Sequence, residues 1–524
     1  MLKGETEMNL FGKKFALVPA LIAVFAMAGS AQAENLVIGD NYNVTDGILI
    51  GTYESEVGIF GGNNTNDVEL TDAIVTTSGD VTLNGGRFYG GGDGCGVRGT
   101  SKLTINMPNA SGKVSSVAGS SNPGTMRTVS DGSVELNILN IGNADIGLVS
   151  GVCLDESTSC TYSVGDINMT VDNPTDTKLG NIRGISENAW GSNQGNVTIT
   201  ADNINISVKN GNINDLRTVY ANLPNDSITI GDITVELSGG TDANGSGAGI
   251  ITGISIAAPM RKAEFGNAKV IITGGEWKNN IWLGGQVLYG SSSQDEIIAN
   301  GNLECVVIGD AGAKAMNDNG ISLGAILNAD SHIFTHKGER ASITFSDITD
   351  ASLLGNASHR GASRNLNSGE RIKLDTNPTI VFDNVQGVFN CEVTHMDTLE
   401  IAPGTELTIA SETFEIEKQI VFTGDWSEQN IENTLTVTTP AVAEKLKALK
   451  VDYTTNATGL EEVSWTDDGK LAVKATPENP EPTPDPDPTP EPKPESSSSG
   501  GGCSAGFGAL VLLAAVPLMF RRKK

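Results

Sequence analysis

Apolar and polar residues alternate along this chain in short runs, and the runs recur. A glycine, often followed by Asp or Asn, introduces alternating β-type residues again and again. Gly132 precedes SVELNIL, Gly165 precedes DINMTV and Gly195 precedes NVTIT. Gly231 precedes DITVEL, Gly266 precedes NAKVIIT, Gly301 precedes NLECVVI and Gly338 precedes ERASITF. The steps are 33, 30, 36, 35, 35 and 37 residues. Earlier copies start at Gly79 (DVTLNGG) and Gly99 (TSKLTIN), and a later one is PTIVFDNV from Pro378. Each unit holds a second apolar cluster: DIGLVSGV from Asp145, NIRGIS from Asn181, DLRTVYA from Asp215, GIITGIS from Gly249, NIWLGG from Asn280 and GISLGAIL from Gly320.

One such unit has strands with a single apolar face, for example Val81 and Leu83 against Asp80 and Thr82. A lone unit leaves that face wet, whereas stacking units at the ~4.8 Å strand spacing buries it as a continuous column. Sharp corners call for Gly and Asn, which tolerate positive φ. The predicted fold is therefore all-β, a right-handed parallel β-helix, or β-solenoid, over residues 34–396. The rival, a pair of antiparallel sandwiches, gives no reason for the recurrence. From Thr398 to Ile416 strands follow with little loop (LEIAPGTELTIASETFEI), then AVAEKLKALK has helical spacing, then VDYTT and KLAVKA. Residues 397–476 are thus expected to be terminal coils and a small cap that blunts the open end of the stack.

The two ends have a different composition. Lys13 and Lys14, an apolar run from Phe15 to Gly29, and Ser30-Ala31-Gln32-Ala33 follow the order of a secretory signal peptide over residues 1–33. Cleavage is expected after Ala33, with small residues at Ala31 and Ala33 meeting the peptidase's shallow pockets. Residues 477–502 begin with PENPEPTPDPDPTPEPKP and end with SSSSGGG. Proline fixes φ and removes a donor, so the first part is a disordered but extended spacer of roughly 55 Å at ~3.1 Å per residue, and the second a flexible joint. Residues 503–524 hold Cys503, an apolar stretch from Ala505 to Phe520 that is expected to be a short hydrophobic helix, and Arg521-Arg522-Lys523-Lys524. An apolar segment followed by cations reads as a membrane stop with its charge on the cytoplasmic side.

The segment SSSSGGGCSAGFGALVLLAAVPLMFRRKK, residues 496–524, resembles a C-terminal sorting segment of the Synergist-CTERM type, similar in plan to Myxo-CTERM and GlyGly-CTERM signals. The resemblance covers about a twentieth of the chain. It implies export across the inner membrane of a diderm bacterium, contact with an envelope sorting machinery, processing near Cys503 beside Gly500, Gly501 and Gly502, and attachment at the cell surface. A plain membrane anchor at the same place is the simpler alternative.

Charge narrows the partners. The formal net charge is −29; the first 33 residues carry +1 and the last four +4, which leaves −34 on residues 34–520. So acidic a body repels nucleic acid. Cys153 and Cys160 enclose six residues, and export allows them a disulfide. Cys95 sits in the Gly-rich turn GGGDGCGVRG, and Cys305 inside an apolar strand pattern. His332 and His336 lie four apart near Glu339, but on a strand that spacing separates them by ~13 Å, so no metal site is assigned. Calcium is the one cofactor the acidic turns NDNG (Asn317 to Gly320) and TDANGSG (from Thr241) invite, although neither has the spacing of a calcium loop. No P-loop, G-x-S-x-G, H-E-x-x-H or dinucleotide fingerprint occurs in a fitting context.

One ladder deserves mention as a glycan-binding candidate. Asp145, Asn181, Asp215 and Asn280 occupy similar places in successive repeats, as do Arg183 and Arg217. Trp277 and Trp282 add aromatic faces, with core packing as their simpler role. No catalytic residue is assigned. The expectation is a non-catalytic, exported stalk or adhesin-like module that meets an extracellular glycan or a host or cell-surface partner. A surface polysaccharide lyase or hydrolase on the same fold, and a structural envelope component, are the alternatives.

Overall fold

The computed structural model describes residues 34–37, 58–61 and 69–475, apart from short segments at 77–80, 85, 93–94, 123–127, 155–159, 176, 188–196, 223–226, 243–248, 258–261, 290–294 and 428–433. It is a β-solenoid of about ten turns, built almost wholly from parallel strands. The signal segment, the proline spacer and the tail, with Ala31, Ala33, Gly500, Gly501, Gly502 and Cys503, lie outside the described residues.

Strands stack in three columns. In the first, Thr71–Thr76, Thr100–Asn106 and Ser133–Asn140 pair in sequence and continue through Cys160–Asp172, Val197–Asn210 and Ser227–Leu237. Ala268–Ile272, Leu303–Ile308, Ala341–Ile348 and Pro378–Phe389 extend it. Its core has the period of two expected of a strand. Ile167, Met169 and Val171 lie over Ile204, Ile206 and Val208, then Ile233, Val235 and Leu237, then Ala268, Val270 and Ile272, all buried. Each fully buried aliphatic side chain contributes on the order of 1.5–3 kcal/mol before the entropy of ordering is subtracted. Outside, Asn203 donates to Asp166, Asn205 to Asn168 and Asn210 to Asp172, so polar side chains also stack from coil to coil.

The second column has a different period. It runs through Ala110–Ala118, Asn143–Leu154, Lys178–Glu187, Asn212–Ala221 and Ile250–Ile256. Its inward residues fall every third position: Ile146, Val149 and Val152, then Leu179, Ile182 and Ile185, then Ile213, Leu216 and Val219. The third column joins Thr128–Asp131 to the leading halves of the long first-column strands, then to Lys262–Phe265, Glu296–Ala299 and Ile333–His336.

Two expectations about the repeat need correcting. The copies at Gly195 and Gly79 belong to other columns. Val197 pairs with Cys160 in the third, and Val81–Asn84 pairs with Ala110–Lys113 in the second. The corner residue between Gly165 and Gly231 is Asp202, so the true steps there are 37 and 29 residues. The corner glycines also act differently from the expectation. Gly165, Gly231 and Gly338 do not have positive φ. They are small because a Cβ at Gly165 would lie 2.1 Å from the Gly132 carbonyl oxygen, and one at Gly231 1.8 Å from that of Asp202. Positive φ occurs at other corners, such as Gly142 (57°) and Gly240 (88°) after the first-column strands, and at a few positions within strands, such as Gly112 (88°).

The end of the stack changes character after Pro378–Phe389. Thr379 pairs with Thr398 and Leu399 with Ile420, so the coils shorten to 19 and 21 residues. A helix, Pro440–Lys447, then buries Val442, Ala443 and Leu446. Leu460–Trp465 and Lys470–Ala475 pair antiparallel, and the latter also closes on Leu435–Val437. Among the described residues no helix is long and apolar enough to cross a membrane.

Candidate functional site

The period of three decides which side chains of the second column face outward. Within Lys178–Glu187 the inward set leaves Asn181, Arg183 and Ser186 on the outer face. Within Asn212–Ala221 it leaves Asn214, Asp215, Arg217 and Tyr220. Parallel register then places Asn181 beside Asp215, Arg183 beside Arg217, and Ser186 beside Tyr220. These outward groups are nevertheless shielded: Arg183 is 5%, Asp215 5% and Arg217 8% exposed. They line a cleft of about 540 Å³ together with Ser115, Asn181, Asn214, Ser186 and Tyr220.

One carboxylate lies between two guanidiniums. Arg183 donates Nη1 to Asp215 Oδ1 at 2.7 Å and Nη2 to Oδ2 at 3.2 Å, a fork on a fork. Its Nη1 also donates to its own neighbour's carbonyl, Ile182 O, at 2.9 Å. Arg217 Nε stands 3.2 Å from Asp215 Oδ2 without the alignment of a hydrogen bond. Both guanidinium carbons lie near the Tyr220 ring, at 5.5 and 5.4 Å from its centroid, within the range of a cation–π attraction. Burial, and then the neighbouring Arg183 charge, push the Arg217 pKa down while Asp215 opposes. An arginine stays charged through such shifts. The triad therefore carries one surplus positive charge. That charge belongs to Arg217, whose terminal nitrogens make no hydrogen bond among the described residues. Asn214 Nδ2 donates to Asn181 Oδ1 at 2.8 Å, which leaves the Asn181 amide donors for other partners. The arrangement suits a small anionic group flanked by hydroxyls.

The predicted ladder is met in part. Arg183 and Arg217, and Asn181 and Asp215, pair as expected. Asn280 falls on the Asp215 rung, because Ile281 pairs with Ile250 and Ile250 with Leu216. Asp145 does not join them. It pairs with Lys113, and the residue opposite Asn181 is Leu148. A slip of three residues maps apolar onto apolar when the core period is three, so the pattern alone tolerates the wrong alignment. Trp277 is a core residue whose Nε1 donates to Gly274 O at 3.0 Å. Trp282 packs with Ile251 and Ile326 on the outer face, two rungs from Arg217 with Ile251 between them.

Other singled-out residues have structural partners. Cys153 and Cys305 are buried, whereas the Cys160 side chain lies outside the described residues. The turn holding Cys95 is tied down by Asp131, which accepts from Val97 N at 2.7 Å, Ser121 N and Oγ at 2.8 Å, and Tyr162 Oη. Burial raises the Asp131 pKa against those bonds. His336 contacts Gly301 O at 2.9 Å and Thr376 Oγ1, and His332 lies 3.7 Å from Asp295. In the two acidic turns, Asp242 accepts from Lys278 N and Asn279 Nδ2, and Asp318 from Asn356 N. Those carboxylates tie one coil to the next. Among the described residues no group of three or more His, Cys, Asp or Glu is placed to hold a metal ion.

Sequence reasoning overlooked Tyr220 as part of the cleft and the crowd of arginines at residues 360–371. The first has no motif of its own. The second had a signal: four cations within the 16 residues SHRGASRNLNSGERIK of a strongly acidic chain. Compared with the models of known protein families, with curated proteins and with solved structures, the chain matches none of them.

Proposed function

We propose that this chain is an exported, surface-held β-solenoid that acts as a non-catalytic stalk or adhesin-like module, and that its recognition point is the Arg183–Asp215–Arg217 cleft. The observation that carries this reading is the state of Asp215, the one carboxylate that lines the cleft among the described residues. Asp215 is held bidentate by Arg183 and flanked by Arg217. Carboxylate-based glycoside hydrolysis asks for two carboxyl groups across the scissile bond, one free to give a proton. The cleft offers instead a surplus guanidinium, side-chain amides and a hydroxyl, which is chemistry for holding a carboxylate-bearing sugar or side chain. Export and attachment rest on the three-zone leader, the proline spacer and the sorting-type tail.

The test has two arms. Protease shaving of intact cells reports exposure; a solenoid that survives shaving but is cut in lysates rules out surface display. A glycan array probed with the protein and with Arg217→Gln reports recognition. Binding to uronate-bearing glycans that the variant loses supports the cleft. Turnover of any array glycan replaces the module with the lyase or hydrolase reading.

A further inference from the structure

The strand Ala362–Asn365 turns back and pairs antiparallel with Arg371–Lys373, a local hairpin set into the parallel stack. In that ladder Arg364 stands directly opposite Arg371. Directly opposed side chains share one face at roughly 4.5–5.5 Å between Cβ atoms, and like charges there repel. Arg360 ends the preceding strand, Ser358–Arg360, one residue before the hairpin. Three guanidiniums thus crowd one spot in a chain of net charge −29.

Their neutralisation is incomplete. Arg360 has Glu392 at 3.6 Å. Arg364 is exposed and has no ion pair or hydrogen bond among the described residues. Nη1 of Arg371 is closed off from solvent without a hydrogen-bond partner. Lys373, the fourth cation, is engaged by Asp397 and by Glu417 at 2.6 Å. Burial, and then the charges of Arg360 and Arg364, bring the Arg371 pKa down to about 10. A stable fold keeps such a conflict where function uses it.

We propose that Arg360, Arg364 and Arg371 form a second anion site on this hairpin, one that takes a tetrahedral oxyanion, a sulfate group or a phosphate. A carboxylate brings two oxygens and one charge, enough for a single guanidinium fork. Three forks need more acceptors than that, and a tetrahedral oxyanion supplies at least three, spread in three directions. The site is separate from the cleft. Arg217 leads in register through Ile251, Trp282 and Ser322 to Arg360, four coil steps or about 19 Å, with Trp282 buried between them.

The experiment is calorimetric titration of the full chain at constant ionic strength with inorganic sulfate, inorganic phosphate, a sulfated oligosaccharide and its desulfated form. Arg364→Gln, Arg371→Gln and, as a control, the exposed cation change Lys209→Gln are titrated in parallel. Expected is saturable binding of a tetrahedral oxyanion, at least tenfold weaker in Arg364→Gln and Arg371→Gln and unchanged in Lys209→Gln. Both hairpin variants should also melt above the parent in ligand-free buffer, since each removes a repulsive pair. Tighter binding of the oligosaccharide, lost on desulfation, identifies a sulfated glycan as the source; equal affinity for the bare ions identifies the free anion. Absence of saturable binding by every probe overturns the site. So does undiminished binding in Arg364→Gln, whose exposed side chain can be changed without a folding defect.

Discussion

His359 shows how far a single buried residue can govern stability. Its ring is fully enclosed by Phe345 and Phe389, with centroids at 5.1 and 6.2 Å, and neither nitrogen has a hydrogen-bond partner among the described residues. Burial, helped by the Arg360 charge, brings its pKa down to about 3. The folded pKa lies below the unfolded value of ~6.5, so the unfolded chain takes up the proton first. Stability is then fully present above about pH 6.5 and falls as the pH drops toward 3, by up to about 4–5 kcal/mol. His332, His336 and His395 are lowered by burial as well and act with the same sign. His359→Phe should flatten the acid limb of a stability-versus-pH curve and raise the neutral-pH melting temperature. An unchanged acid limb in urea titrations from pH 7 to 4 would count against this account. The corner glycines make a second prediction at this scale. Gly231→Ala drives a Cβ into the Asp202 carbonyl oxygen, so a loss of roughly 2–4 kcal/mol is expected by denaturant unfolding.

At the scale of the element, the second column is a strand type that keeps polar groups close to the core. Its large apolar residues turn inward at every third position, and the stacked coils shelter the polar side chains between them that face outward. Asp215 is the keystone of the resulting triad. Asp215→Asn leaves two buried guanidiniums without their carboxylate and should cost about 3–5 kcal/mol. Arg217→Met leaves the Arg183–Asp215 fork intact and should cost less than ~1.5 kcal/mol while abolishing ligand recognition. Chemical unfolding of the two variants side by side checks the contrast; equal destabilisation would mean that Arg217 is a structural partner and not the recognition group.

At the scale of the molecule, a solenoid's weakness is its open end. The last parallel strand, Lys450–Thr458, exposes Lys450, Thr454, Thr455 and Asn456, a polar edge that discourages pairing with another chain. The helix Pro440–Lys447 and the antiparallel closure by Lys470–Ala475 seal the interior behind it. A chain ended at residue 427 should retain the parallel stack but self-associate with rising concentration in sedimentation velocity. If it stayed monomeric, the cap would be dispensable for solubility.

The alternation of apolar and polar residues was enough to determine a stack of parallel coils, because each unit has an apolar face that only a neighbouring unit can cover. Local composition was equally enough for the cap, where loops vanish at Thr398 and helix formers cluster after Ala441. Register was decided by the tertiary structure alone. In the first column a slip of one residue turns the core outward, so the pattern fixes the faces there, although glycine spacing still misplaced Gly195 and Gly79. In the second, a slip of three residues preserves the core, and only the packed neighbours put Leu148 rather than Asp145 opposite Asn181. The same holds for chemistry. Arg183 and Arg217 are 34 residues apart and Arg364 and Arg371 only 7, yet each pair is brought side by side through strand pairing, which places side chains by hydrogen-bonded rungs and not by distance along the chain.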